Sequence, residues 1–269
     1  MPLGVVGVRV VEGPRKPAAL FSDEAARAGG GRRGAILTPI VIEIGGATRL
    51  VGLLGWPVEH SLSPRMHNAA FAKLGLDWAY VPLPTPEDGL AGAIEGLAAL
   101  GFAGANVTSP HKLAAAALCA TDAPSVNTIV VRDGRLEGRT TDAAILDGLG
   151  FERPVVIGDG GSAAAFIGAL PHARRFSRRG EWPPDASDAD LVVNATPVRD
   201  DVLVRLGPGQ TLVDLPYPAT ATARAASAEG ANVVGGLEVL VAQGAASFEL
   251  WTGLPAPLDA MRAAVGLSA

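Results

Sequence analysis

Several residue types are scarce in this sequence, and each scarcity closes off a class of protein. Cys119 is the single cysteine, so no disulfide framework can form within the chain. No apolar run reaches the ~18–20 residues that a membrane-spanning helix needs. Basic residues are in deficit: 22 Lys and Arg against 27 Asp and Glu leave a net charge of −5, which argues against a nucleic-acid binder. The N-terminus lacks the basic region, apolar core and small-residue cleavage site of a secretory signal. Lysine occurs three times, at Lys16, Lys73 and Lys112, and amides seven times, five Asn and two Gln. What remains is a two-lobed, acidic α/β protein of the cytoplasm, long enough at 269 residues for two compact lobes.

Residues 1–48 carry a short β-like run at Val5–Val11 and a Gly/Arg-rich stretch at Ala25–Gly34, and read as a flexible N-terminal extension. From Arg49 the pattern tightens. Leu50–Leu54 reads as a buried strand, Pro64–Leu74 as a helix, Trp78–Val81 as a strand and Pro86–Leu100 as a helix. Phe102–Val107 is strand-like and His111–Cys119 is an Ala/Leu-rich helix. Val126–Val131 and Arg135–Gly138 are strands around an Asp133-Gly134 turn, and Thr141–Leu149 reads as helical. A second lobe opens near Phe151 with the strand Val155–Ile157 and an Ala-rich helix Ser162–Leu170. Strands at Arg174–Phe176, Leu191–Asn194, Thr211–Leu215 and Asn232–Val234 follow, with helices at Thr222–Glu229, Leu237–Trp251 and Leu258–Val265. The alternation predicts mostly parallel sheets covered by helices, with ligands at the carboxyl ends of the strands.

Three groups of residues can carry chemistry. Gly158-Asp159-Gly160-Gly161 lies between a strand and a helix, where backbone N–H groups and the helix dipole suit a pyrophosphate; Asp159 counts against it unless it points to solvent. About twenty residues on, Ser177-Arg178-Arg179 stands where an NAD-preferring fold carries an acid, so the two guanidiniums suit a 2′-phosphate, or else form a solvated basic surface. In Asn106–Lys112, a strand leads through amide and hydroxyl side chains to a lysine at a helix start; in a partly desolvated cleft a lysine exchanges a proton, which an arginine does not. Asp142 is either its partner or a helix N-terminal charge. Ser61 and Ser63 can together hold a small carboxylate, with helix capping an equal alternative for Ser63. His67 and His111 lack metal-ligand spacing, so no metal is expected.

These segments, taken in order, resemble the shikimate dehydrogenase family. Gly55–Asn68 is similar to its opening signature, Asn106–Lys112 to N-V-T-x-P-x-K, and Ser125–Thr128 to A-V-N-T. Thr140-Thr141-Asp142 stands for N-T-D, Gly158–Gly161 for G-A-G-G and Asn194–Pro197 for N-A-T-P. Gly236–Gly253 is similar to the closing motif, and the likeness covers about residues 49–255.

The resemblance implies reversible NADP-linked reduction of 3-dehydroshikimate to shikimate, in aromatic amino-acid (chorismate) biosynthesis, by a monomer or homodimer with a small-molecule substrate, no nucleic acid and no membrane. It implies Lys112 and Asp142 as the catalytic pair, and Ser61, Ser63, Asn106, Thr108, Asn127, Tyr217 and Gln243 as substrate contacts. Gly158, Gly160, Gly161, Ser162, Ser177, Arg178, Arg179, Asn194, Thr196 and Gly236 would hold NADP. The fold implied is a mostly parallel α/β substrate domain, residues 49–142 with 236–269, plus a shortened Rossmann-like domain, residues 143–235. Two other readings are a quinate- or shikimate-type dehydrogenase using NAD, and a non-catalytic small-acid binder with a reduced cofactor lobe. The chain departs from the family pattern at Thr140, Asp159, Arg199 and Val239, and has little chain between Arg179 and Leu191 for the usual helix and strand.

Overall fold

Two five-stranded sheets organise the computed structural model, which describes residues 42–268, all within one compact unit. The expectations for Val5–Val11 and Ala25–Gly34 lie outside the described residues. The first sheet contains β1 (Arg49–Gly55), β2 (Trp78–Pro84), β3 (Gly104–Val107), β4 (Thr128–Arg132) and β5 (Arg135–Arg139), in the order β2-β1-β3-β4-β5. The neighbours of β1 run parallel to it, and only β4 opposes the rest. The β4–β5 turn is the anticipated Asp133-Gly134, with φ of 49° and 75°, the geometry of a type I′ hairpin.

Alternation along β1 explains how the sheet is covered. Val51 and Leu53 face α1 (Ser63–Lys73), α6 (Gly236–Thr252) and α7 (Leu258–Ala264), packing with Met66, Phe71, Phe248 and Met261. Leu54 faces the other way, towards α2 (Leu90–Ala99) and α3 (Lys112–Ala116), among Ile94, Leu97, Ala115 and Ile129. A 3₁₀ turn, Glu87–Gly89, leads into α2.

The second sheet is parallel throughout. It holds β6 (Pro154–Ile157), β7 (Arg174–Phe176), β8 (Leu191–Asn194), β9 (Thr211–Asp214) and β10 (Asn232–Val234), in the order β10-β9-β8-β6-β7. Its central strands are continuous apolar runs buried on both faces, as parallel sheets require. With β7 added on one side of β6 and β8 on the other, the order of strand addition reverses between β6 and β8, and the crevice beyond their carboxyl ends is the ligand position of such folds. Helix α4 (Gly161–Ala169) follows β6 and α5 (Ala221–Ala228) follows β9. Between β7 and β8 there is no helix. Ala186 and Ala189 fill that space, packed on Val155, Phe176 and Val192. Helix α6 spans both sheets: Val239, in its first turn, packs with the second sheet, and Phe248 and Trp251 pack with the first.

Two helices are shorter than the periodicity predicts. Lys112–Ala116 stops before Cys119, because the Ala117 and Leu118 amides already bond three residues back. Thr141–Leu149 is not a helix; it contains one 3₁₀ turn, Ala144–Leu146. The Thr141 amide donates to the Asn127 side chain, which holds the chain extended, and Gly148 takes a φ of 77°. Asp142 therefore does not sit at a helix N-terminus, and its carboxylate is free to turn inward.

Candidate active site

Two cavities meet at one wall. A small one of about 180 Å³ is lined by Ser61, Ser63, Asn106, Thr108, Tyr217 and Gln243 together with Lys112 and Asp142. A larger cleft of about 560 Å³ runs along Gly158–Ser162 and Thr196 to Tyr217. Thr108, Lys112, Ser162, Leu215 and Tyr217 belong to both.

Lys112, the first residue of α3, donates from Nζ to Asp142 Oδ1 at 2.7 Å and Oδ2 at 2.6 Å, and to Ser162 Oγ at 3.0 Å. The side chains are 15% and 8% exposed, so the pair is largely removed from water. An ion pair so placed persists when further hydrogen bonds satisfy its atoms. Asn127 supplies one, donating to Asp142 Oδ1 at 2.9 Å. The hydroxyl of Ser125 donates to Gly161 O, tying the segment before β4 that carries Asn127 to the glycine turn.

The amides divide into two groups. Gln243 lines the small cavity, its Oε1 reached by Asn127 Nδ2 at 3.3 Å. Asn127 is buried behind Asp142 and lines neither cavity; its Oδ1 accepts the Thr141 amide at 2.7 Å. Asn106 borders the cavity, but Nδ2 donates to Asn127 O, Thr128 Oγ1 and Ser247 Oγ, while Oδ1 accepts from Tyr80 at 2.9 Å. Thr128, Thr141, Ser247 and Tyr80 thus form a buried hydrogen-bonded layer beneath the site that sequence reasoning passed over. Ser247 had a usable signal, lying four residues after Gln243 on one helix face; Tyr80 had none.

Ser61 and Ser63 both face the small cavity, the Ser63 amide donating to Ser61 Oγ at 3.2 Å. The residue before α1 is Leu62 and no side chain caps the helix, so Ser63 does not spend its hydroxyl on a cap. Tyr217 packs beside Leu62, and burial pushes its phenol above the usual range, against the opposing influence of a Leu62 backbone contact and of Arg199. His67 is buried with its ring stacked 4.6 Å from Tyr80, and neither ring nitrogen has a partner among the described residues. Burial brings it down to about 3, so it is neutral.

Of the residues expected to hold a dinucleotide, Gly158, Gly160, Gly161, Ser162 and Thr196 line the larger cleft. Gly158 has φ of 135°, and a Cβ there would lie 2.9 Å from Ala195 O; one on Gly161 would collide with Lys112 Cβ. Nothing lies within 4 Å of a Cβ on Gly160, and no side chain caps α4, so its first N–H groups have no side-chain partner. That cradle fits the phosphates of a dinucleotide. Asp159 is turned towards Arg179, 3.7 Å from its Nε, and Arg178 lies over the Trp182 ring at 5.6 Å. Ser177, Arg178 and Arg179 stand beside the cleft without lining it, and Gly236 lines the small cavity instead. Asn194 is buried, its amide spent on Asp214 and its Oδ1 on Thr196.

Comparisons with known proteins point to one family. Residues 53–129 match the family model described as the shikimate dehydrogenase substrate binding domain, and residues 236–265 the shikimate 5′-dehydrogenase C-terminal domain. The chain is 41% identical to the shikimate dehydrogenase (NADP(+)) of Anaeromyxobacter dehalogenans, over 80% of its own length and 94% of that protein. It is 37% identical to the protein of the same name from Citrifermentans bemidjiense, over 82% and 96%. A shikimate dehydrogenase crystal structure in complex with NADP+ superposes with a TM-score of 0.77 at 30% identity, covering 85% of this chain and 98% of the other. The Thermus thermophilus enzyme in complex with NADP(H) and shikimate gives 0.71 at 33%, covering 80% and 98%. The chain belongs to the shikimate dehydrogenase family.

Proposed function

We propose that this protein interconverts shikimate and 3-dehydroshikimate with NADP as cofactor. The observation that carries the reading is the Lys112–Asp142 pair on the wall shared by a small polar cavity and a glycine-lined cleft. NADPH, when bound, supplies the hydride. Gly158, Gly160, Gly161, Ser162 and Thr196 line its cleft and Asn194 holds Thr196; Arg178 and Arg179, with the Ser177 hydroxyl, would meet the 2′-phosphate of the adenosine half. Gly236 lets α6 start against Leu215 O, closing the wall between the two cavities.

In the small cavity the Ser61 and Ser63 hydroxyls take the substrate carboxylate. Thr108, Gln243 and Tyr217 hold ring hydroxyls, with Asn106 and Asn127 fixing the surrounding chain. A site built to hydrogen-bond hydroxyls rejects analogues that lack them. As the keto oxygen gains negative charge, Lys112 Nζ gives it a proton; Asp142 holds the ammonium in place for that transfer, and the amine left behind takes its next proton from water. Residues 49–142 with 236–269 act as the substrate domain and 143–235 as the cofactor domain, a division supported by sheet membership. No described helix is long and apolar enough to cross a membrane, and we place the protein in the cytoplasm as a monomer or homodimer.

The test is steady-state absorbance at the reduced-nicotinamide band with shikimate or quinate and NADP+ or NAD+. Shikimate with NADP+ gives the highest kcat/KM. No signal with either cofactor, alongside thermal stabilisation by shikimate, would replace the enzyme with a binding module.

A further inference from the structure

We infer that Arg199 is a direct contact for the diphosphate bridge of the dinucleotide, set across the cleft from the glycine turn; this rests on the NADP-binding reading above. The loops after β6 and β8 are adjacent. Ile157 pairs with Asn194 at the strand ends, and Ala195 O closes the space beside Gly158. Arg199 lies four residues beyond Ala195 and lines the same cleft.

The Arg199 main chain is anchored, its carbonyl accepting the Ala221 amide at 2.7 Å at the start of α5. The guanidinium is oriented by two carbonyls, donating to Tyr217 O at 2.8 Å and Pro218 O at 3.3 Å. Those bonds use two of its five N–H donors and leave three for a ligand.

Charge points the same way. On the cleft wall Lys112 is spent on Asp142, and Asp159 faces Arg179. Among the described residues Arg199 has no carboxylate within ion-pair range. The start of α4 contributes only about half a positive charge, whereas a diphosphate bridge carries two negative charges. A planar fork of donors already fixed on the facing wall matches phosphate oxygens better than a flexible ammonium would.

The experiment is calorimetric titration of the wild type, Arg199→Gln and Arg199→Lys with NADP+, with adenosine 2′-phosphate, which lacks the diphosphate, and with shikimate. Arg199→Gln weakens NADP+ binding about tenfold, the lower range for a charge-assisted hydrogen bond at a solvent-open site, and Arg199→Lys recovers part of it. Adenosine 2′-phosphate and shikimate bind all three proteins alike. An unchanged NADP+ affinity in Arg199→Gln overturns the assignment, as does an equal loss for adenosine 2′-phosphate. Weakened shikimate binding alone would make Arg199 a strut for Tyr217 and overturn it too. A wild type that binds no NADP+ would sink the dehydrogenase reading itself, and this inference with it.

Discussion

At the scale of single residues, Lys112 has every N–H donor engaged, two on Asp142 and one on Ser162. In the proposed role of proton donor, a group held this way would act mainly on the chemical step. Lys112→Ala is therefore expected to lower kcat by about 10²–10⁴ while moving KM only a few-fold. Unchanged turnover, followed by nicotinamide absorbance, would remove Lys112 from the mechanism. In its proposed role Ser61 would hold the carboxylate in ground and transition states alike, so Ser61→Ala is expected to raise the KM for shikimate more than it lowers kcat.

His67 makes a different prediction. Its ring nitrogens are buried without partners, and burial carries the group from its ordinary 6.5 to about 3. The unfolded chain accepts a proton near pH 6.5 that the folded protein refuses until about pH 3. Stability is thus undiminished above pH 6.5 and falls with acidification towards pH 3, by roughly 1.4 kcal/mol per pH unit. Between pH 7.5 and 5 the wild type should lose about 2 kcal/mol more than His67→Phe, measured by urea unfolding. Phe keeps the stacking shape and has nothing to protonate, so equal losses in the two proteins would show that His67 is not the acid-sensitive group.

At the scale of elements, the join between α3 and α4 matters most. Gly161 begins α4 where a Cβ would collide with Lys112 Cβ, whereas Gly160 faces open space. Gly161→Ala is expected to push the glycine turn and the lysine apart, costing about 1–3 kcal/mol of stability and lowering kcat. Gly160→Ala, at a φ of −85°, should leave the thermal midpoint where it is. Equal midpoints for the two variants would mean that the helices are not in contact.

At the scale of the molecule, both sheets supply walls to the small cavity, and α6 and the Ser125–Gly161 bond hold them together. A ligand that binds only the assembled cavity must stabilise the whole. Shikimate at about 100 times its Kd is expected to add about 2.7 kcal/mol. For a chain of this size that raises Tm by roughly 5–10 °C, readable by calorimetry. A midpoint insensitive to shikimate would detach the cavity from the substrate.

Much of this arrangement is legible in the chain alone. Apolar runs such as Val155–Ile157 and Leu191–Asn194, the Asp133-Gly134 hairpin and the glycine turn before α4 declare themselves because periodicity and turn chemistry act over a few residues. So does the rarity of lysine, which singles out Lys112. The false helix at Thr141–Leu149 shows where that reading stops: local propensity favoured a helix, and a hydrogen bond from the Thr141 amide to the Asn127 side chain, fourteen residues back, overrode it. The approach of Lys112 to Asp142, the commitment of Asn106 to Ser247 across 141 residues, and the turn of Arg199 towards Tyr217 were decided only by tertiary structure. The reason is physical. Each depends on which strand ends and helix starts become neighbours, and that is set by the packing of both sheets against α6, which no short stretch of sequence encodes.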